Sequence, residues 1–308
     1  MNVSFSLKIK SNKSWSFISS NSISSDFSSA FISLKFSINF FTMNVVSFIP
    51  LLDLKFSFLI NSSSFMTKTF YLPNYTSISV KGPDSEKFLQ GQISCDISKP
   101  AQYFDGLFCN EKGYIITNSV VIKENGFVIL VKKDVVQFLV SELEKFSKFY
   151  DCTIKIEQQD IYGKQTNDSF TKHIGTIETN YNEQDWETET MKNFCFDIGA
   201  DSSGKYRINE IGYDFQKFVS YEKGCYRGQE IIARLTYLGK ASKMAVVFSG
   251  LINSIFNENG REIGKKIFQS NKKNEEQTQF FIEKSDYYLN NKETIIPIAN
   301  QWDLIQGQ

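Results

Sequence analysis

One short segment combines two glycines, two cations and a cysteine at the point where the sequence pattern changes from loop to helix. The segment reads Lys223-Gly224-Cys225-Tyr226-Arg227-Gly228-Gln229-Glu230. Apolar residues from Ile231 to Leu238 then recur near helical spacing, and Gly239 is the expected C-terminal stop of that helix. The segment therefore predicts a glycine-bracketed loop that leads into a helix from Gln229 onward.

Cys225 is the candidate functional thiol of this loop. A helix N-terminus stabilises an anion, and the flanking Lys223 and Arg227 would do the same, so both features favour the thiolate form. An isolated cysteine is more often a buried structural residue. A core cysteine needs neither flanking cations nor paired glycines, so this context favours a sulfur that is open to a ligand or a partner.

A second set of motifs lies upstream of the cysteine segment. It consists of Val80-Lys81-Gly82-Pro83-Asp84, Lys87-Phe88-Leu89-Gln90-Gly91-Gln92, Cys95-Asp96 and the glycine turn Asn110-Glu111-Lys112-Gly113. Together with the cysteine segment, these motifs resemble the YgfZ family, which are folate-binding proteins related in fold to the T protein of the glycine cleavage system. The resemblance covers residues 70–245, with a gap in the middle.

The resemblance implies an α+β fold of the T-protein type, built from ferredoxin-like α/β units and followed by a small C-terminal β-barrel. It implies tetrahydrofolate or another reduced folate as the cofactor. It also implies that the segment 223–230 acts in the support of iron–sulfur enzymes, including those that thiolate tRNA. The expected partners are such enzymes or cluster-assembly proteins in the cytoplasm, with no direct contact to nucleic acid or to a membrane.

The resemblance also assigns two aromatic residues to the folate pocket. Family members place tryptophans there, and Tyr75 aligns with the first of them while Trp186 lies near the second. A pterin ring needs an aromatic or apolar wall and polar groups for its amide edge. Each of the two residues is equally consistent with an ordinary core aromatic.

The chain departs from the related T proteins at the catalytic positions. T proteins are aminomethyltransferases with an acidic pair after the glycine turn, and the matching positions here are Thr117 and Asn118, neither of which is a carboxylate base. Residues 207–212 also depart from the family pattern, which predicts reduced or lost folate affinity. Three functions stay open: a folate-binding accessory protein, a folate-dependent one-carbon transferase, and a thiol-dependent scaffold without folate. The missing acidic pair argues against a classical enzyme, and any activity is expected to be aminomethyltransferase-like at most.

Composition restricts other classes of function. The 308 residues carry 34 Lys and Arg against 34 Asp and Glu, so the net charge gives no electrostatic reason to bind nucleic acid. Residues 205–243 are more basic, which suits a small anionic ligand or a solvated surface. Five cysteines without a C-x-x-C pair and a single histidine, His173, predict no metal site and favour free thiols in a reducing cytosol.

The first 65 residues differ in composition from the rest. They are rich in Ser and Phe, contain no Gly, and show no sustained helical or strand period. The apolar stretch 40–60 is interrupted by Pro50, Asp53 and Lys55, so it falls short of a span of about 20 apolar residues. We expect residues 1–65 to be a non-native extension before a start at Met66, with a membrane anchor as the alternative. The other predicted domains are a T-protein-like domain over 66–240, with a shortened middle unit, and the barrel over 241–308.

The pattern after Met66 predicts an α+β order of elements. Strands are expected near Ile78 and Val80 and at 104–109, 114–122, 127–131, 153–156, 244–248, 280–282 and 294–298. One helix is expected to open at Gly82-Pro83-Asp84, and another to be capped by Asp134 and to run to about Phe149. Residues 160–189 are predicted to be a polar loop or linker.

Overall fold

The structure is a computed structural model that describes residues 67–167, 169–237, 243–270, 272–285, 288–291 and 293–301, together with two short strands, β1 (Phe5–Leu7) and β2 (Phe17–Ser19). Contacts divide the chain into two units, 1–64 and 65–308. In the first unit β1 and β2 pair antiparallel. The other predictions for residues 1–65, and the predicted helix stop at Leu238 and Gly239, lie outside the described residues.

The second unit is built around a five-stranded antiparallel sheet with two helices on one face. Its elements in chain order are β3 (Thr67–Tyr71), β4 (Tyr75–Lys81), α1 (Ser85–Gln90), β5 (Tyr103–Cys109), β6 (Ile115–Lys123), β7 (Phe127–Lys132), α2 (Lys133–Ser147) and β8 (Thr153–Glu157). The strand order in this sheet is β5-β6-β7-β4-β8, while β3 joins a second sheet. The strands expected between residues 78 and 156 are therefore confirmed.

Both predicted helices form, but each begins at a different residue from the one expected. Helix α1 begins at Ser85, so Pro83 and Asp84 precede it, and the Asp84 carboxylate accepts a 2.9 Å hydrogen bond from the Asp151 amide. Helix α2 begins at Lys133, and Asp134 lies in its first turn without capping it. Asp134 sits in the first turn of α2, where its charge favours the helix electrostatically, and Asp84 immediately precedes α1 without capping it through its side chain. Both positions resemble a cap in the sequence.

The apolar stripe of α2 packs on the large sheet. Val135, Leu139 and Leu143 are buried there with α1 and with alternate residues of the strands. Burial of each such side chain contributes about 1.5–3 kcal/mol. Phe138 of the same helix is 48% exposed, because it lies one position away from the row that faces the sheet.

The prediction of a loop over residues 160–189 is wrong. This region contains β9 (Ile161–Thr166), β10 (Ser169–Ile174) and α3 (Glu183–Lys192). Strands β10, β9 and β3 form a small sheet, in that order, whose inner face packs through Phe70, Ile161 and Phe170 on the far side of the large sheet. The outer face carries polar and aromatic residues, which is why the segment resembles a loop in the sequence.

The remaining elements begin with three helices, α4 (Ile208–Ile211), α5 (Phe215–Phe218) and α6 (Gln229–Tyr237). They continue with the strands β11 (Lys243–Ser249), β12 (Lys265–Ser270), β13 (Gln277–Glu283), β14 (Tyr288–Asn290), β15 (Glu293–Ile295) and β16 (Pro297–Asn300). The expected strand at 294–298 is split in two at Ile296, and β12 was missed by the sequence pattern. Strands β12, β13, β11 and β16 form a four-stranded antiparallel sheet, in that order, and β14 pairs with β15. The described strands thus give a sheet and a hairpin, and a closed barrel is not confirmed.

No helix among the described residues combines the length and apolar character that crossing a bilayer requires.

Candidate functional site

The loop that carries Cys225 is held on one side by Lys223. The Lys223 ammonium donates 2.7 Å hydrogen bonds to the backbone carbonyls of Ile93 and Cys95. It also lies 5.2 Å from the centre of the Tyr226 ring, within range of a cation–π contact. Burial lowers the pKa of Lys223 to about 8, although nearby Cys95 and Asp96 act in the opposite direction.

The other side of the loop is held by Arg227. Its Nε donates to Glu111 at 2.7 Å, and its Nη2 donates to Glu142 of α2 at 2.5 Å. Its backbone amide donates to the Gly91 carbonyl at 3.1 Å. Charge-assisted hydrogen bonds of this kind are stronger than neutral ones, so Arg227 fixes the loop against the first α/β unit.

Cys225 itself lies between these two anchors and is exposed. Helix α6 begins at Gln229, as expected from the sequence, so Cys225 lies in the loop four residues before the start of the helix. Lys223 and Arg227 donate to carbonyls and carboxylates elsewhere. Both cations are therefore engaged away from Cys225, and the feature that distinguishes this cysteine is its exposure.

The two glycine turns of the sequence motifs meet in space. Gly113 and Gly228 both have positive φ angles, +72° and +82°. A Cβ on Gly228 would lie 2.7 Å from the Asn110 carbonyl oxygen and 3.3 Å from the Gly113 Cα. Only glycine permits this backbone approach. Gly224 differs, because a Cβ there would meet no atom within 4 Å, so the space beside Cys225 is open.

The other motif residues support the loop from the helix side. Tyr226 is buried, and its backbone amide donates to the Gln229 side chain at 3.1 Å. The Gln229 amide donates to the Tyr226 carbonyl at 3.1 Å. Glu230 is exposed in the first turn of α6, where its charge is favourable. These residues shape the entry of the chain into α6.

The two aromatic residues assigned to the folate pocket converge on one buried carboxylate, Asp197. The Tyr75 hydroxyl donates to Asp197 Oδ2 at 2.7 Å, and Trp186 Nε1 donates to the same atom at 2.9 Å. Both aromatic side chains are buried in the core between the two sheets. Burial raises the pKa of the Tyr75 hydroxyl, and the negative charge of Asp197 raises it further.

The second oxygen of Asp197 is also occupied. Asn118 Nδ2 donates to Asp197 Oδ1 at 2.9 Å, and the Lys172 ammonium pairs with the same atom. Burial by itself raises the pKa of Asp197, but the charge of Lys172 and the donated hydrogen bonds hold it below its ordinary value. With four donors on two oxygens, this carboxylate stays ionised and has no free acceptor position.

A polar pocket opens beside this cluster. Its lining includes Asp105, Asn118, Lys172, Trp186, Cys195 and Lys217. Asp105 is half-buried and pairs with Lys217 at 3.5 Å. Burial raises the pKa of Asp105, against the opposing charges of Lys217 and Lys172. The free volume is about 20 Å³, which is room for roughly one water molecule rather than a pterin ring.

Sequence patterns missed Asp105, Lys172, Asp197 and Lys217. A signal did exist for Asp197, because it is a lone carboxylate inside the apolar run 194–198. Lys172 lies two residues after Phe170 and therefore on the same inward face of β10, a position that would follow from the sequence once β10 is recognised as a strand. The Asn118 side chain, which cannot act as a carboxylate base, donates a hydrogen bond to Asp197. It also accepts a 2.8 Å hydrogen bond from the Ile198 backbone amide.

His173 lies on the outer face of β10, half-buried and stacked on Tyr162. Within the part of the chain that the structure describes, no group of three or more His, Cys, Asp or Glu side chains is arranged to hold a metal ion.

Known proteins resemble this chain at a distance. A relative from Haemophilus influenzae, described as an uncharacterized protein, is 24% identical over 225 residues, which cover 66% of this chain and 79% of the relative. The tRNA-modifying protein YgfZ of Colwellia psychrerythraea is 25% identical over 219 residues, covering 55% of this chain and 67% of the relative. YgfZ of Escherichia coli is 24% identical over 227 residues, covering 57% and 69%. No protein-family model matches the chain.

The fold has a counterpart among solved structures. The crystal structure of glycine cleavage system aminomethyltransferase T from Bartonella henselae aligns with a TM-score of 0.58 and 13% identity. The alignment covers 74% of this chain and 83% of that protein. At this identity the likeness is one of fold.

Proposed function

The chain is a YgfZ-like protein with the T-protein fold, and from this premise we propose that it is an accessory protein of tRNA modification. In this role it binds a reduced folate and presents Cys225 to iron–sulfur enzymes, including those that thiolate tRNA, or to proteins that assemble their clusters. The proposed location is the cytoplasm, where the thiol stays reduced.

One observation carries the proposal: Cys225 is exposed while the residues on both sides of it are fixed. Lys223 is bound to the carbonyls of Ile93 and Cys95, and Arg227 is bound to Glu111 and Glu142. A structural cysteine has no need of such anchors. An accessible sulfur on a fixed loop, next to the open space at Gly224, is suited to contact with a second protein.

The polar pocket is the proposed folate site, and Asp105 is its proposed recognition residue. The amide edge of a pterin presents N–H donors that a carboxylate accepts well. Asp197 has no free acceptor position, whereas Asp105 has only Lys217 as an ion-pair partner in the pocket. Lys217 lies on the four-residue helix α5 and its side chain is partly exposed, so we propose that displacement of this side chain enlarges the pocket.

One-carbon transfer is not favoured by this arrangement. The position that would carry the catalytic base holds Asn118, and Asp197 beside it is held ionised by four donors. A carboxylate with a lowered pKa and no free acceptor position is a poor general base. The alternative that has a specific observation in its favour is a thiol-dependent scaffold without folate, because Tyr75 and Trp186 are already engaged and the pocket is small.

The finer architecture is also proposed. The elements from β4 to β8 run strand, helix, three strands, helix and strand, and both helices lie on one face of the sheet. This order is close to that of a ferredoxin-like unit. The C-terminal sheet and hairpin are proposed to close into a small barrel around the cluster that includes Phe248 and Phe280. The bridges from Phe256 to Glu262 and to Leu289 support this closure.

The folate part is tested by calorimetric titration of the full chain with tetrahydrofolate. We expect saturable binding that Asp105→Asn weakens at least about tenfold, since a hydrogen bond to a charged group contributes about 1.5–3 kcal/mol. Asp201→Asn, at an exposed aspartate, is the matched control and should bind like the wild type. A dissociation constant of about 1 mM corresponds to a binding free energy of only about 4 kcal/mol. If tetrahydrofolate shows no saturable binding up to that concentration, the thiol-dependent scaffold without folate is favoured.

The thiol part is tested in cells that lack their own YgfZ-like protein. Cys225→Ser should fail to support the activity of an iron–sulfur enzyme that thiolates tRNA, while keeping the fold and folate binding. Cys152→Ser is the control, because Cys152 is a half-buried cysteine away from the loop. Full enzyme activity with Cys225→Ser contradicts the assignment of this residue.

A further inference from the structure

Three aromatic residues lie side by side across the outer face of the small sheet, and a fourth, from strand β5 of the large sheet, extends their row. On β9, Tyr162 stands in register with Tyr71 of β3 on one side and with His173 of β10 on the other. The Tyr162 and His173 rings are stacked, with centroids 5.2 Å apart and an interplanar angle of 22°. Tyr103 of β5 continues the row, and its ring meets His173 edge-on at 5.4 Å. Tyr71, Tyr103, Tyr162 and His173 are called the aromatic row below.

The aromatic row is not part of the core. The opposite face of the same strands carries Phe70, Ile161 and Phe170, which fill the space between the two sheets. Tyr71 is 50% exposed and Tyr103 is 45% exposed, so both ends of the row are open to solvent. Single exposed aromatics are normal on protein surfaces, whereas a row of four aromatic residues with two exposed ends has the composition of an interaction surface.

The residues next to the aromatic row on the outer face of the small sheet are polar, and one of them is a cation. Lys164 of β9 stands in register with Thr69 and Thr171, and its side chain is exposed. None of the described residues on the outer face of β3, β9 and β10 is acidic. Thr171 Oγ1 lies 2.9 Å from His173 Nε2, which links the two rows. Burial and the charge of Lys164 lower the pKa of His173, so its ring is neutral at physiological pH.

We propose that the aromatic row binds a single-stranded RNA segment of a few nucleotides, with bases stacked on the exposed tyrosines and a phosphate near Lys164. Aromatic rings on a sheet face stack on any base, and a nearby cation contacts the backbone. The zero net charge argues against a duplex, whose binding relies on many cations. Stacking on aromatic rings depends less on net charge. The proposed RNA contact therefore departs from the expectation that the protein makes no direct contact with nucleic acid.

The RNA surface and the folate pocket share one strand. Along β10, Phe170 and Lys172 face the pocket while Thr171 and His173 face outward. This alternation follows from the pleat of the strand. The proposal draws on the proposed role in tRNA modification for its choice of RNA, but it is tested at residues that take no part in the pocket or in the cysteine loop.

The test is fluorescence anisotropy of the full chain with a labelled oligouridylate of about 12 nucleotides, within the range of known single-strand sites. Tyr71→Ala and Tyr103→Ala should each weaken binding roughly tenfold or more, as loss of one stacked base predicts. Tyr71→Phe and Tyr103→Phe keep the ring and should bind like the wild type. Phe149→Ala removes an aromatic side chain that is 82% exposed elsewhere, and should have no effect.

Lys164→Gln should remove the contact to about one phosphate. The slope of the logarithm of the RNA binding constant against the logarithm of the salt concentration should therefore become shallower by roughly 0.7. Equal binding by the alanine and wild-type proteins overturns the proposal, as does absence of binding by the wild type. Sedimentation that shows a dimer broken by Tyr71→Ala assigns the row to self-association instead, and also overturns it. Tetrahydrofolate titration of the same variants separates the two hypotheses, because loss of RNA binding with folate binding intact leaves the proposed function untouched.

Discussion

Arg227 of the cysteine loop donates to Glu142 of helix α2 across a distance of 2.5 Å, with both side chains almost fully buried. The two residues are far apart in the sequence. Their contact joins the loop before α6 to the helix that covers the large sheet. The position of Cys225 thus depends on a helix outside its own segment.

Replacement of Glu142 by Gln is expected to destabilise the protein by about 1–3 kcal/mol at neutral pH, because a charge-assisted hydrogen bond is lost. Burial alone raises the pKa of Glu142, but hydrogen bonds from Lys145 and Arg227 hold it below 4.5. A depressed folded-state pKa contributes stability above the unfolded pKa, and this is lost as pH falls through the folded value. Urea unfolding as a function of pH should therefore show wild type and Glu142→Gln converging in acid.

The matched control on the same helix is Glu144→Gln, at an exposed position. Its effect should stay within about 0.5 kcal/mol at every pH. A difference between wild type and Glu142→Gln that stays constant down to acid pH contradicts the role of the ion pair.

Asp197→Asn is expected to be the more damaging of two aspartate changes at the pocket. It leaves the buried ammonium of Lys172 without its counter-charge, which costs about 3–5 kcal/mol. Asp105→Asn, whose partner Lys217 reaches solvent, should cost less than about 1 kcal/mol. Thermal unfolding measures both. The double variant Lys172→Met with Asp197→Asn should lose less than the sum of the single variants, and additivity would show that the two residues do not interact.

Lys223 is expected to titrate near pH 8 rather than near 10.5, since burial disfavours its charge. Below pH 8 the folded state carries the cost of a buried ammonium, and this cost disappears as the pH rises from 8 to 10.5. The free energy of unfolding of the wild type, relative to Lys223→Met, should therefore increase over that interval. Carbon-13 NMR of reductively methylated protein reports the titration directly, with Lys223→Arg to identify the signal. A midpoint near 10.5 contradicts this prediction.

Cys225 is expected to be the first cysteine alkylated in the native protein. Burial raises the pKa values of Cys95, Cys109 and Cys195 to about 12, and it also raises that of Cys152. Cys225 is the exposed one of the five. Mass spectrometry after brief iodoacetamide treatment at neutral pH gives the order of labelling, and urea-unfolded protein, in which all five react alike, is the control. Faster labelling of Cys152 would show that exposure of the loop sulfur does not decide reactivity.

The sequence by itself determined the elements that have a strong local pattern. Apolar residues that alternate in β4 and β8 and run without a break in β7 predict these strands, and the stripe of Val135, Leu139 and Leu143 predicts α2. Ordered motifs with glycine turns carry the family resemblance. Local patterns of this kind survive in a single sequence because hydrophobic period and turn chemistry act over a few residues.

Only the tertiary structure decided which side chains meet. Asp197 gathers Tyr75, Asn118, Lys172 and Trp186 from four other elements, and the sequence holds no signal of that convergence. The cations beside Cys225 looked like activators of its thiol, but distant carbonyls and carboxylates satisfy them. Strands β9 and β10 were hidden because their outer face is polar and aromatic. Pairing across the sheet, a long-range interaction, makes strands of residues that lack a local preference for that structure.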